Sequence, residues 1–509
     1  MAGNLRLAKN ALMLYGRTLI TTVVGIVTVR LTLQALGVDD YGLLNVAGSL
    51  AGVFSFVTVG LSIGVSRFMT FELGRGDIGR MRRTFSSALI AFSAICILFV
   101  ILGETVGLWY LRNYLTVPAG SESAAFWVFQ ASILTLVTML IRTPYNAVIV
   151  SHEKFNVLAL METLYSMMKL GAVVYVSNIE ESRVIILAFI YAILPLVYLA
   201  TYIIYTRRYP ETHVTLHFDK VLFKPIVNFS SWEILGSVSK MLKTSGFNMV
   251  INFFCGVAMN ATIGIANTVS GAVVGLAYNL SGVFYPGMVK AYAKKDMLEF
   301  STLTYRASLG SMILYGIVAM PLIAECDYVL HLWLGNPPRL SPELCLIFLI
   351  ADSLLMAQLV GAEAIKAAGK NRALNLLQSL SAALAVGLVF MALYGGLSPL
   401  TACALFSLDV LFSLTIVVFL MTRNFGVATT GHFLKNSVFK VLFLELAVYL
   451  LLRMFCSLME PSFLRLTLCC ILSATIFSIL SYCLLLNDDE RTAVKNFIRI
   501  KLIALKPVQ

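Results

Sequence analysis

The sequence predicts an all-α integral membrane protein of about 14 transmembrane helices, and three observations carry that prediction. Of the 509 residues, 59% are hydrophobic and 13% charged, against roughly a quarter charged in an ordinary soluble domain. Apolar runs of about 20 residues, enough to cross a ~30 Å hydrocarbon core, recur from one end of the chain to the other. The basic residues fall between these runs, on alternating sides.

Fourteen runs centre near Val23, Phe54, Phe99, Leu136, Met167, Ile193, Val250, Val273, Leu314, Ile350, Leu384, Ser407, Ala447 and Thr475. The first, from about Ala11 to Leu33, is too long for a signal-peptide core and has no small-residue cleavage site, so it is expected to remain as the first span. The net charge of +12 would suit nucleic acid. Its placement points elsewhere: 27 basic residues, among them Arg80, Arg82, Arg83, Arg142, Lys154, Lys220 and Lys224, lie on the side of the N-terminus, and five (Arg112, Arg183, Arg339, Arg453 and Arg465) lie opposite. By the positive-inside rule both termini are cytoplasmic, and no nucleic-acid partner is expected. Trp109, Tyr110 and Trp127 fall at outer span ends, where amphipathic rings settle. The nine cysteines, such as Cys96, Cys255, Cys403, Cys469 and Cys470, lie mostly inside apolar runs without paired Cys/His spacing. They read as small apolar packers, and neither a metal nor a cofactor is predicted.

Comparing the chain with itself at an offset of 219 residues aligns Gly37–Val38 with Gly256–Val257, Ala47 with Ala266, Gly52 with Gly271, and Leu61–Ser62 with Leu280–Ser281. It also aligns Met69 with Met288, Asp77 with Asp296 and Ala88 with Ala307, nine identities over 52 ungapped positions. Six spans per repeat is an even number, so the repeats are parallel. The expected organisation is an N-lobe over 1–215 (spans 1–6), a C-lobe over 216–425 (spans 7–12), and two further spans with a basic cytoplasmic tail over 426–509. The connection from Arg207 to Pro225 contains Phe218, Val221, Leu222 and Phe223, which suggest a short interfacial helix.

The run LGVDDYGLLNVAGSLAGVF (Leu36 to Phe54), followed by SRFMTFELGRGD (Ser66 to Asp77), resembles the opening of polysaccharide flippases of the multidrug/oligosaccharidyl-lipid/polysaccharide exporter superfamily. PYNAVIVSHEKFNVLALMETLYSMMKLGAVVYV (Pro144 to Val176) is similar to the fourth-to-fifth span region of the same family, in particular of bacterial O-antigen repeat-unit flippases. The resemblance implies two six-helix lobes in a V around a central cavity that is typically cationic. It implies movement of an undecaprenyl-diphosphate-linked oligosaccharide from the cytoplasmic to the outer leaflet of the bacterial cytoplasmic (inner) membrane, usually with proton or sodium coupling. Partners are then the lipid-linked glycan, membrane lipids and polysaccharide assembly proteins.

An ionisable residue inside a span costs ~2.5–3.5 kcal/mol on insertion scales and is a site candidate by default. Lys240 and Lys243, halfway along the seventh span and three residues apart, share a helix face and are the first candidates for the diphosphate. The other reading pairs them with an acid on another span. Arg17 lines the cavity or snorkels to the interface. Arg30, thirteen residues later, is a weaker site candidate or pairs with Asp39 or Asp40. Glu162 and Lys169, seven apart on the fifth span, read as a neutralising pair. Arg67 is expected at a lipid phosphate or at the inner gate. Asp409, mid-span, is the first candidate for a coupling carboxylate, because a carboxyl in low dielectric can exchange a proton in the physiological range. Asp352 and Glu363, on one face of the tenth span, either join it or counter the lysines. Glu445 is assigned no role.

Two other classes compete. A cation-coupled drug or metabolite antiporter of the same superfamily would place acids and aromatics around a cationic solute, whereas Lys240 and Lys243 favour an anion. A polysaccharide polymerase or glycosyltransferase would need a large outer loop, and the longest one, near Glu325 to Pro342, has about 18 residues. Lys370 follows Gly369 but precedes Asn371, so no phosphate-binding G-x-x-x-x-G-K-[ST] loop is present. The chain is expected not to be an enzyme.

Overall fold

The computed structural model describes residues 55–113, 122–180, 182–215, 219–485 and 491, together with 13, 16–18, 20–25, 27–28, 31–32, 34–36, 40 and 44. Among these, regular structure is helical throughout. The helices are α1 (Ser55–Arg75), α2 (Ile78–Leu102, continued through a π turn to Asn113), α3 (Glu122–Ser151), α4 (Phe155–Ser177) and α5 (Arg183–Thr206). They continue as α6 (220–255), α7 (257–293), α8 (Met297–Ala324), α9 (Cys326–Leu334), α10 (Ser341–Ala367), α11 (Asn371–Tyr394) and α12 (Pro399–Phe425, with a turn at Leu408). Next are α13 (427–456, with a π turn at Leu434–Phe439) and α14 (Phe463–Leu480).

Among the described residues, ten helices are long and apolar enough to cross a membrane. The fourteen expected spans are not all among them: those centred near Val23, Phe54, Val250 and Ala447 are missing. Much of the first lies outside the described residues, the seventh carries Glu233, Lys240 and Lys243, and the regular part of the thirteenth, Lys440–Cys456, has 17 residues.

The chain divides at Ser237 and Val238 into two compact units. The N-unit is built on α3, which packs most extensively on α5 and also on α1 and α2, with α4 laid against α5. In the C-unit α10 packs on α8 and α12, while α8 also receives α13 and α14. Its largest core joins Tyr315, Met356, Leu374, Val417, Phe433, Val448 and Phe477, all buried. The finer division at 215 and 425 rests on the span pattern alone.

The positions matched at the 219-residue offset share local geometry. Asp77 accepts from the Arg80 amide (2.8 Å) to start α2, and Asp296 accepts from the Glu299 amide (2.9 Å) to start α8. Each Asp follows a residue with positive φ, Gly76 at 77° and Lys295 at 60°. The preceding helices close alike, with Asp77 N–H on the Glu72 carbonyl and Asp296 N–H on the Ala291 carbonyl. Gly256, at φ 79° and ψ −179°, separates α6 from α7 in a conformation that strains any residue bearing a Cβ. Its counterpart Gly37 lies outside the described residues.

Among the described residues, the connection after α5 holds a 3-10 turn at Pro210–Thr212 and no separate helix over Val221–Phe223. Asp219 accepts from the amides of Val221 and Leu222, so Val221, Leu222 and Phe223 become the first turn of α6; Phe218 lies outside the described residues. The connection is fixed to α2 by Arg82 Nε on the His213 carbonyl (2.8 Å) and by Ser86 and Ser87, which accept from the amides of Thr215 and Asp219. Nearby, His152 stacks on Tyr209 and its Nε2 lies 2.5 Å from Glu211 Oε1. Burial, and then the hydrogen bond that Tyr209 donates to Tyr205, push the Tyr209 phenol up to about 12.

Prolines inside helices each free a carbonyl four residues back. Pro321 frees that of Ile317 in α8, and Ser473 of α14 donates to it at 3.1 Å. Pro195 frees that of Tyr191 in α5, and the Thr135 hydroxyl of α3, already on Ala131 at 2.9 Å, reaches it at 3.4 Å.

Candidate functional site

In the C-unit, helical spacing puts Lys243 on a face of α6 where its ammonium donates to Asp409, the first residue after the turn in α12. Asp409 also accepts from the Ser381 hydroxyl of α11. The Lys243 ammonium stands 4.8 Å from the centroid of Phe406, which stacks on Phe247 at 3.9 Å. Asp409 is 6% exposed and Lys243 21%, so this is a largely desolvated ion pair with an aromatic floor. Lys240, one turn away, is exposed and within electrostatic range of Lys243 and Lys366. The other two acids do not join this group. Asp352 accepts from Ser270 (2.6 Å) and Glu363 from Tyr278 (2.5 Å), two carboxyl–hydroxyl bonds that tie α10 to α7.

In the N-unit a second group forms around four tyrosines. The Arg142 guanidinium lies 4.8 Å from the Tyr198 centroid and 5.1 Å from that of Tyr202. Tyr198 stacks on Tyr165 (4.5 Å) and its hydroxyl meets that of Tyr202 at 3.2 Å. Lys169 stands 5.0 Å over Tyr165 and 5.4 Å from Tyr191. Arg17 pairs with Glu162 at 2.8 Å. Glu162 therefore neutralises Arg17, and the expected Glu162–Lys169 pair does not form among the described residues; Lys169 is taken up by ring faces instead. Arg142 also lines a cavity of about 230 Å³ with Thr58, Ser62, Met139, Thr143 and Asn146. The Thr58 hydroxyl there has no hydrogen-bond partner. Such an arrangement offers guanidinium and ammonium donors for an anion and ring faces for the C–H surface of a sugar or an apolar group.

Arg67 is buried, with its guanidinium 4.8, 5.5 and 5.2 Å from the rings of Phe68, Phe71 and Phe229. That surrounding is aromatic. Arg30 lies outside the described residues. Cys456 and Cys469 gather with Glu325 in reach of a common ion, but Arg465 holds both carboxylate oxygens, through Nε and Nη2 at 2.6 Å each. The trio reads as the surroundings of a buried ion pair.

Sequence reasoning missed Arg142, Tyr165, Tyr198, Tyr202 and Phe406. The sequence reading counts Arg142 among the cytoplasmic-side basic residues, yet α3 runs on past it through Pro144 to Ser151.

No protein-family model matches the chain, and no curated protein matches it. Solved structures do. MATE in the bent conformation superposes with a TM-score of 0.70 at 12% identity, over 84% of this chain and 96% of that one. A MOP superfamily transporter from Pyrococcus furiosus, whose reversed binding-pocket polarity suggests a different function, gives 0.67 at 13%, over 84% and 96%. The Vibrio cholerae MATE transporter VcmN in the bent form gives 0.65 at 13%, over 85% and 100%. The chain therefore has the fold of the MATE transporters of the MOP superfamily, as a multi-pass helical membrane protein.

Proposed function

We propose that this chain is a secondary transporter working by alternating access, whose cargo is an anionic, sugar-bearing amphiphile of the undecaprenyl-diphosphate-linked oligosaccharide class. One observation carries the choice of cargo. Arg142 and Lys169 are held over tyrosine rings, while Glu162, the carboxylate on the same helix as Lys169, is engaged by Arg17. A guanidinium matches phosphate oxygens in a bidentate way, and stacked tyrosines suit sugar rings. The basic loops support a cytoplasmic-membrane orientation with both termini inside, and polysaccharide assembly proteins are the partners such a cargo entails.

A second reading, a cation-coupled antiporter of drugs or metabolites, has specific support. The solved MATE neighbours share the fold, and Asp409 neutralises Lys243, which weakens the case for an anion at the C-unit.

The two readings separate in liposomes containing the purified protein. A polyprenyl-diphosphate glycan should protect the wild type against thermal unfolding, and Arg142→Ala should abolish that protection while Arg142→Lys weakens it. Proton- or sodium-driven exchange of a cationic dye, with no response to the glycolipid, would overturn the anionic cargo and establish the antiporter.

A further inference from the structure

Glu445 lies in the middle of α13, outside the duplicated helices, and no step above uses it. It is buried, 4% exposed, and its Oε1 has no hydrogen-bond partner. Its surroundings come from three other helices of the C-unit. From α8, Gly316 leaves the space that the Glu445 side chain fills, since a Cβ there would come within 3.1 Å of Glu445 Cγ and 2.4 Å of Phe477 Cζ. Tyr315 lies beside that glycine, donates to the Leu349 carbonyl and feels the charge of both Asp352 and Glu445. From α10, Ser353 is in hydrogen-bonding reach of both Glu445 and Tyr315. Asp352 is next to it, 6% exposed and bonded to Ser270. From α14 comes the ring of Phe477.

An unpaired carboxylate oxygen in a dry interior is several kcal/mol out of balance, so such an oxygen needs a proton or a cation as its partner. Among the described residues, the titratable group placed against Glu445 is Tyr315, which brings no positive charge. Phe477 and Gly316, which pack against the Glu445 side chain, bring no side-chain oxygen to coordinate a metal cation. A proton, needing one oxygen and no cavity, is the partner that fits.

We propose that Glu445 is a proton-binding site where α13 meets α8 and α10, within reach of Ser353 and Tyr315, so that α13 contributes a protonation equilibrium to the transport core. Its use in coupling rests on the transporter reading, whereas its occupancy by a proton does not.

Infrared spectra of the full-length protein in liposomes, free of cargo, test the occupancy. The wild type at neutral pH should show a protonated-carboxyl carbonyl band that shifts in deuterium oxide and is absent from Glu445→Gln. If Glu445→Gln is not recovered folded, Glu445→Asp should move the same band in frequency. A difference confined to the ionised-carboxylate region would overturn the proposal. A second arm separates coupling from occupancy: Glu445→Gln should lose flux driven by a pH gradient at least tenfold while cargo still protects it against unfolding. Unchanged gradient-driven flux would remove the coupling role and leave the proton site standing.

Discussion

Lys243 and Asp409, 166 residues apart in sequence, form an ion pair in the C-unit with Ser381 on the second carboxylate oxygen. Removing one partner strands the other in low dielectric. Lys243→Ala and Asp409→Ala should each lower the thermal midpoint more than the double variant does. The double-mutant cycle should give a coupling of about 0.5–3 kcal/mol, and additive single effects would show the pair to be energetically silent.

The pair of Glu325 and Arg465 is buried more deeply, at 1% and 11% exposure, and Arg465 also donates to the carbonyls of Cys456 and Met459. Arg465→Ala should therefore cost about 3–5 kcal/mol, with Glu325→Gln in the same background recovering part of it. Chemical-denaturant unfolding in detergent measures both.

Asp77 and Asp296 cap equivalent helices in the two units. Replacing either by Ala should cost about 1 kcal/mol, and Asn should restore most of it. Equal losses at the two sites are expected from their equal geometry.

Close approach gives two glycines different tolerances. A Cβ at Gly60 would meet the backbone nitrogen of Ile234 at 2.9 Å, whereas at Gly103 it would meet only the tip of Ile133 at 2.7 Å. Gly60→Ala should cost about 1–3 kcal/mol, and Ile234→Ala, which removes the Cγ1 contact at 2.5 Å but leaves the backbone one, should relieve it only in part. Gly103→Ala should be rescued by Ile133→Val, as read from paired melting curves.

Much of the helical architecture was legible in the sequence because the bilayer writes a long, uniform apolar signal, and because Asp77 and Asp296 mark the same helix start twice. The site was less legible. Spacing put Lys240 and Lys243 on one face, but it could not say that only Lys243 would find a carboxylate, since Asp409 comes from a helix more than a hundred residues away. Glu162 chose Arg17 over Lys169 for the same reason: helix neighbours fix which face a side chain takes, and tertiary packing decides what meets it. The cation cluster at Tyr165, Tyr198 and Tyr202 draws on three helices, and no single one of them carries a motif.

The hydroxyl of Ser473 on the carbonyl that Pro321 leaves open has a mechanical consequence. A proline-weakened helix would ordinarily be the natural place for a transporter to flex. Here α14 acts as a splint across that weak point, so bending α8 means carrying α14 along or breaking the bridge. α14 thereby stiffens α8, and Ser473→Ala is the smallest change that would release the splint.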